Sequence, residues 1–342
     1  MFRKLTALLL LLLLLTGCAA PGNTPGKKQY QATFLTLFDT VTYISGLADS
    51  EEEFQAQAKE LHDRLLVYHQ LFDIYHDYEG MNNLKTVNDQ AGIAPVEVDG
   101  EIIRLLMDCR DYYDLTEHTV NAAMGSVLAL WHEARSEGLD DPANAALPEE
   151  SALREAGCHT SWDAVEIDRE KSTVYLSDPQ IRLDVGAVAK GWSVQRVAET
   201  APSGLLISVG GNVCATGPKD DAGTPWVVGV ANPDGGDEYL HTLYVTDQAV
   251  VTSGDYQRYY VVDGKRYHHI IDPNTLYPAA NWRCVTVVCR DSGLADALST
   301  ALFVLSREEG QTLLDRLEAE AMWMDLQGNC YYSPGFRDLI RT

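Results

Sequence analysis

Asp296 and Thr300 stand four residues apart, so on a helix they share one face about one turn apart. A carboxylate and a hydroxyl make an all-oxygen pair that suits Mg²⁺, which keeps its other positions for water and phosphate oxygens. A second group, His269 in His268-His269-Ile270-Ile271-Asp272-Pro273, stands at a predicted strand end before a Pro-stiffened turn. Imidazole is the side chain best suited to take a hydroxyl's proton near neutral pH. A third is Asp184 and Lys190 within residues 181–192. There Ile181, Leu183 and Val185 alternate with Arg182 and Asp184, which predicts a half-buried strand. From Ala187 the apolar spacing becomes helical, through Val194, Val197 and Ala198. A helix N-terminus beside small residues (Gly186, Ala187, Ala189, Gly191) would admit a phosphate close to the backbone.

Each feature alone has an ordinary structural meaning. Asp is favoured near helix starts and Thr can face inward; a histidine at a strand end is commonly structural; a strand–turn–helix can carry a surface lysine. Ser208-Val209-Gly210-Gly211-Asn212 reads first as a tight turn ending a strand. No glycine-rich loop followed by Lys-Ser or Lys-Thr occurs at Lys190, so this is not a P-loop.

The elements that must position these groups fall into two halves. Residues 31–44 read as a strand interrupted near Phe38-Asp39-Thr40. Residues 51–75 form the clearest helix, with Phe54, Ala58, Leu61, Leu65, Tyr68, Phe72 and Tyr75 as one buried stripe. Residues 78–94 read as a polar loop, 101–113 and 122–133 as helices, 136–150 as a surface loop, and 148–156 as a small helix. The second half carries short strands at 164–167, 173–176, 205–209, 226–230, 240–245, 259–262, 267–271 and 285–289, with Asp263-Gly264 as a hairpin turn. Helices at 294–305 and 308–317 precede strands at 321–324 and 330–332. Helices with mostly hairpin-linked strands make the fold α+β, a single domain of mostly antiparallel strands with packed helices.

Residues 1–17 read as a sorting signal, with Arg3 and Lys4 ahead of a leucine run too short to span a bilayer. Leu15-Thr16-Gly17-Cys18 resembles a bacterial lipoprotein box, which would make Cys18 the lipidated N-terminus. Residues 18–29, rich in Gly and Pro, read as a tether, and 30–342 as the functional domain. Several acyl chains would hold the protein stably on the outer face of the cell membrane. The full chain carries a net charge of −24, which argues against nucleic acid as a partner. Any phosphate site must then be built locally from backbone dipoles, a lysine or a cation. Beyond Cys18, none of the cysteines forms a CxxC pair, and buried free thiols are the expectation.

Taken together, Phe38-Asp39-Thr40, Thr119-Val120-Asn121, residues 183–191, residues 207–212, Trp226-Val227-Val228-Gly229-Val230, Thr252-Ser253-Gly254-Asp255-Tyr256, His269-Ile270-Ile271-Asp272-Pro273 and residues 295–300 resemble the ApbE family in order and spacing. That family comprises FAD:protein FMN transferases of T-fold-like architecture. The resemblance implies Mg²⁺, FAD as substrate, and transfer of FMN to a Thr or Ser hydroxyl of another protein with release of AMP. It implies His269 as general base, and Ala187 (through its carbonyl), Asp296 and Thr300 as Mg²⁺ ligands. Asp184 and Lys190 would contact FAD, Ile270 and Phe38 would line the flavin, and Thr119, Val120 and Asn121 would lie along the dinucleotide. The acceptor would be a flavoprotein of a membrane electron-transport complex. Two departures stand out. Leu276 replaces a glycine of the family turn, where a left-handed residue is expected, so the turn should differ. Ser299 replaces a second metal carboxylate found in some members. An FAD pyrophosphatase and a non-catalytic flavin-binding lipoprotein are the competing readings.

Overall fold

The computed structural model describes residues 26–236 and 238–341. The predicted signal, Cys18 and most of the tether lie outside the described residues. The chain runs β1 (Lys28–Leu37), β2 (Thr40–Ala48), α1 (Glu51–Phe72), α2 (Leu84–Asp89), β3 (Val96–Glu97), α3 (Gly100–Leu115), α4 (Gly125–Asp140), α5 (Glu150–Gly157), β4 (Val165–Asp168), β5 (Thr173–Leu176), α6 (Ala189–Ala198), β6 (Leu205–Val209) and β7 (Asn212–Ala215). It continues through β8 (Trp226–Val230), β9 (His241–Val245), β10 (Ala249–Gly254), β11 (Tyr259–Val262), β12 (Lys265–His268), β13 (Trp282–Cys289), α7 (Ser292–Val304), α8 (Arg307–Leu314), β14 (Ala319–Asp325) and β15 (Cys330–Tyr332). Lys28 and Gln29, expected in the tether, already belong to the first strand. Among the described residues no helix is long and apolar enough to cross a membrane.

An eight-stranded sheet in the order β1-β2-β6-β7-β10-β13-β14-β15 forms the centre, with every neighbour antiparallel. Its middle strands are buried on both faces. Val285, Val287 and Cys289 of β13 join the core beneath α1, α3, α6 and α7, while Cys284 and Val288 face the β8–β9 hairpin and Phe336. A separate small core holds Met124, Val127 and Trp131 with Leu153, Tyr260 and Ile271, so it packs α4 and α5 against the β11–β12 hairpin. Burial on both faces explains why β7 and β10 escape a search for alternation: such strands read as short apolar runs. The fold class is as expected, α+β with a large antiparallel sheet.

Five local readings need correction. Residues 181–185 alternate in burial as predicted, with Ile181 and Leu183 at 0 % exposure, yet they form no strand. Their backbone partners come from elsewhere. The buried Asn88 amide donates to Leu183 O (2.9 Å) and accepts from Leu183 N (2.7 Å), Asp184 N donates to Ala122 O (2.8 Å), and Gly125 N donates to Arg182 O (3.0 Å). The "polar loop" at 78–94 therefore contains α2, whose Asn88 does this work, and whose start is closed by a capping box at Asn83 and Thr86. The 136–150 loop is shorter than expected, because α4 continues to Asp140. The α1 stripe ends at Phe72, and Tyr75 is 51 % exposed rather than core. Strand β12 ends at His268, so His269 lies just beyond it.

The hairpin signals hold. Gly210 (φ 58°) and Gly211 (φ 89°) turn β6 into β7, and Asp263 (φ 50°) with Gly264 (φ 77°) turns β11 into β12. The β1–β2 turn is made by Phe38 (φ 52°) and Asp39 (φ 53°). The described cysteines are free; Cys109, Cys214, Cys284 and Cys289 are buried, and Cys158 is exposed.

Candidate active site

One cavity of about 960 Å³ is lined by every expected site residue in the described chain: Phe38, Thr119, Val120, Asn121, Asp184, Ala187, Lys190, His269, Ile270, Asp296 and Thr300. They arrive from the β1–β2 turn, the α3–α4 loop, the segment entering α6, the end of the β11–β12 hairpin, and α7. The volume lies at the large end of the ~300–1,000 Å³ typical of ligand sites.

The crossing of α6 over α7 sets the oxygen-rich wall. Asp291 caps α7 by accepting from Leu294 N (2.8 Å), which places Asp296 in the helix's second turn. A Cβ on Gly191 would lie 2.3 Å from Ser292 O and 2.5 Å from the Asp296 Cβ, so only glycine allows this approach. Gly191 N then donates to Asp296 Oδ2 (2.8 Å). The small residue expected to admit a ligand thus admits α7 instead. The N–H groups of Val188, Ala189 and Trp192 are also engaged, with Val185 O, Val185 O and Val188 O. The start of α6 is therefore mostly closed to phosphate, and the anion-binding reading of it is corrected: the Lys190 side chain remains. Its ammonium donates to Gly186 O (3.3 Å) and lies 3.7 Å from Asp296 Oδ2, tying the Ala187 turn to α7.

Two carboxylates, the buried Asp296 and the half-buried Asp184, sit in surroundings that disfavour their charge. Burial raises the pKa of Asp296, against the pull of Lys190 and the Gly191 N–H; Asp296 is 4 % exposed. Burial likewise raises that of Asp184, opposed by its bond from Gly186 N (2.8 Å) and by His132, Arg258 and Lys190. Among the described residues no cluster of three or more His, Cys, Asp or Glu is placed to hold a metal. The donor set here is different in kind: one carboxylate, one hydroxyl and one carbonyl. That set fits Mg²⁺, which is held by one or two carboxylates with water and substrate phosphate completing the shell. The buried carboxylate has one ion-pair partner, Lys190, at the long distance of 3.7 Å, and one backbone donor, so a cation would add to its compensation.

The tandem histidines separate cleanly. His268 Nδ1 accepts from Ile270 N (3.2 Å), and its Nε2 therefore donates to Ala279 O (2.8 Å). It is a satisfied core residue. His269 lines the cavity, and its Nδ1 is shut off from solvent with no hydrogen-bond partner. Burial first, then Arg258, His268, Lys190 and Arg135, push its pKa down to about 3. The imidazole is neutral and able to accept a proton, but burial and the surrounding cations keep it weakly basic.

Phe38 occupies a left-handed position that a bulky residue rarely takes. Its N–H donates to His69 Nδ1 (3.3 Å), and its ring meets His69 edge-on at 5.5 Å. Val120 and Asn121 are fixed from behind: Val120 N donates to Thr116 Oγ1 (3.1 Å), and Asn121 Nδ2 to Thr160 O (3.0 Å). Ser299 does not face the cavity; its hydroxyl donates to Asp296 O (3.0 Å) and pairs with Ser253 Oγ (2.8 Å). Leu276 does adopt the left-handed corner (φ 63°), contrary to expectation. Its N–H donates to Asp272 O (2.8 Å), its carbonyl accepts from Trp131 Nε1 (2.9 Å), and its side chain fills the space over Gly157.

Sequence reasoning missed Tyr75, His132, Arg135, Arg258 and Asn212, all of which line the cavity. Tyr75 stacks on His132 at 5.1 Å. The i, i+3 spacing of His132 and Arg135 on α4 was a legible signal, since cations are scarce in this chain.

A family model described as "ApbE family" matches residues 36–323. An FAD:protein FMN transferase of Treponema pallidum is 36 % identical over 278 residues, covering 76 % of this chain and 75 % of that protein. One from Klebsiella pneumoniae is 31 % identical, covering 73 % and 78 %. Among solved structures, the ApbE protein of Thermotoga maritima superposes with a TM-score of 0.79 at 29 % identity, over 92 % of this chain and all of that one. The flavin transferase ApbE of Vibrio cholerae gives 0.74 at 21 % identity, over 92 % and 99 %, a likeness of fold.

Proposed function

The chain belongs to the ApbE family, and from that premise we propose that it is an Mg²⁺-dependent FAD:protein FMN transferase acting on a Thr or Ser hydroxyl of a partner flavoprotein. The observation that carries the reading is the single cavity in which His269, Lys190, Asp184, Asp296 and Thr300 meet the Ala187 turn. Transfer of a phosphoryl-linked group needs positioning and neutralisation of charge more than covalent help from the enzyme. His269 is the group placed to accept the acceptor hydroxyl's proton. Lys190 meets phosphate charge, Phe38 and Ile270 supply apolar surface for the flavin, and Thr119, Val120 and Asn121 form a rigid wall along the dinucleotide. Asp296, Thr300 and the Ala187 carbonyl would hold Mg²⁺, which when bound neutralises pyrophosphate oxygens and eases the departure of AMP. Lipidation at Cys18 would tether the enzyme to the outer face of the cell membrane, beside a flavoprotein of an electron-transport complex.

Co-expression with such an acceptor tests the reading. The acceptor's intact mass should rise by one FMN, with equimolar AMP and loss of both on chelation of divalent cations. Free FMN with an unmodified acceptor would identify a pyrophosphatase instead. Bound FAD with neither product would identify a carrier.

A further inference from the structure

We propose that Arg258 and Arg135 form a second anion grip in the cavity, on the His269 side, which holds a phosphoryl oxygen of the dinucleotide beside the general base. The proposal rests on the FMN-transfer reading and adds residues to it.

Both arginines line the cavity. Among the described residues neither lies within ion-pair distance of a carboxylate. Nearby Arg266 and Arg283 both pair with Asp255, so acidic partners exist in this region and are used by others. Among the described residues the guanidinium of Arg135 has one hydrogen-bond partner, His132 Nδ1 (3.0 Å). Burial and then the like charge of Arg258 lower its pKa. Asp184 is in electrostatic reach of Arg258, but its Oδ1 is engaged by Gly186 N. In a chain of net charge −24, two like charges turned toward one cavity repel unless an anion joins them. A phosphate satisfies guanidinium donors with charge-assisted bonds.

Arg258 is also joined to the base, since His269 N donates to Arg258 O (3.1 Å). After burial, the cation that bears most on the His269 ring is Arg258, with Lys190 and Arg135 as further contributors. A pyrophosphate oxyanion between the arginines would offset their share of the repulsion that disfavours a protonated ring, while burial still acts, so the base strengthens in part as substrate seats. In the step itself the acceptor oxygen bonds to the FMN phosphorus, the phosphorus–oxygen bond to adenylate breaks, and the hydroxyl proton passes to His269. No redox change is involved.

The test uses the purified full-length protein and its Arg258→Gln, Arg135→Gln and Arg258→Lys variants. Affinities for FAD, FMN and riboflavin are read from flavin fluorescence. FAD and FMN should weaken about ten- to a hundredfold in the Gln variants, the range that one charge-assisted hydrogen bond supplies, while riboflavin stays unchanged and Lys recovers part of the loss. Equal loss for riboflavin and FMN, or no loss for either, overturns the grip. Titration of His269 by NMR should show its pKa rising when FAD binds, and rising less in Arg258→Gln; an unmoved wild-type value overturns the coupling. If the wild type transfers FMN while the Gln variants bind FAD like it, this inference fails and the function stands. If the wild type binds no FAD, both fail.

Discussion

At the scale of single residues, the cavity is defined by groups left in an uncomfortable state. His269 Nδ1 lacks a partner, Asp296 is a buried carboxylate, and Phe38 sits in a left-handed turn. Such features cluster where a ligand completes the structure. His269→Ala should retain FAD binding by fluorescence and lower FMN transfer by on the order of 10²–10⁴-fold, the usual contribution of a general base. Unimpaired transfer would remove His269 from that role. Asp296→Asn keeps an acceptor for Gly191 N while removing the buried charge. The metal-free variant should be at least as stable as the wild type in thermal melts, yet gain no stability from added Mg²⁺, whereas the wild type should gain. An equal Mg²⁺-induced rise in both would exclude Asp296 as a ligand.

At the scale of elements, two close contacts set the geometry. Gly191 lets α6 meet α7, and its substitution by alanine would drive a methyl into Ser292 O. Gly191→Ala should cost about 1–3 kcal/mol in urea melts, the usual penalty for overpacking, and should weaken Mg²⁺ binding because Asp296 moves with α7. Asn88 is the clamp that holds Leu183, beside the single bridge of Arg182 to Met124. Asn88→Ala strips partners from both Leu183 backbone groups, which are buried. It should cost about 1–3 kcal/mol and weaken FAD binding as well, since the clamped segment leads directly to Asp184 and Ala187. Wild-type FAD affinity in a destabilised Asn88→Ala protein would show that the clamp serves stability alone.

At the scale of the whole molecule, the buried titratable groups oppose one another in their effect on pH stability. The folded-state pKa of His269 lies below its ordinary 6.5, near 3. The unfolded chain therefore takes that proton first, and stability falls as the pH drops from about 6.5 toward 3. The pKa values of Asp184 and Asp296 are raised from 3.8. The folded protein holds those protons longer, and stability falls as the pH rises above 3.8. In metal-free urea melts, Asp296→Asn should gain stability relative to wild type as the pH is raised from about 4. His269→Gln should gain relative to wild type as the pH is lowered below about 6.5. Parallel curves for either variant would show that its group does not titrate differently on folding.

The residue types alone determined much: the α+β class and most helices and hairpins; the motifs, through the family they resemble, supplied a core set of groups that line the cavity. Helical spacing, turn glycines and short motifs are local, and local chemistry is legible without partners. Three-dimensional contact decided the rest. Residues 181–185 alternate like a strand, but a distant asparagine at Leu183, with Ala122 and Gly125 at its neighbours, satisfies their backbone. Gly191 serves a helix crossing rather than a ligand, and the α6 N–H groups read as open are engaged by the segment ahead of them. Which histidine of the pair faces the cavity depends on where Ile270 and Ala279 lie. The unpaired arginines become visible only after each acid has been matched to its partner in space. Local preference states what a residue can do; the fold decides which of its neighbours are left to do it with.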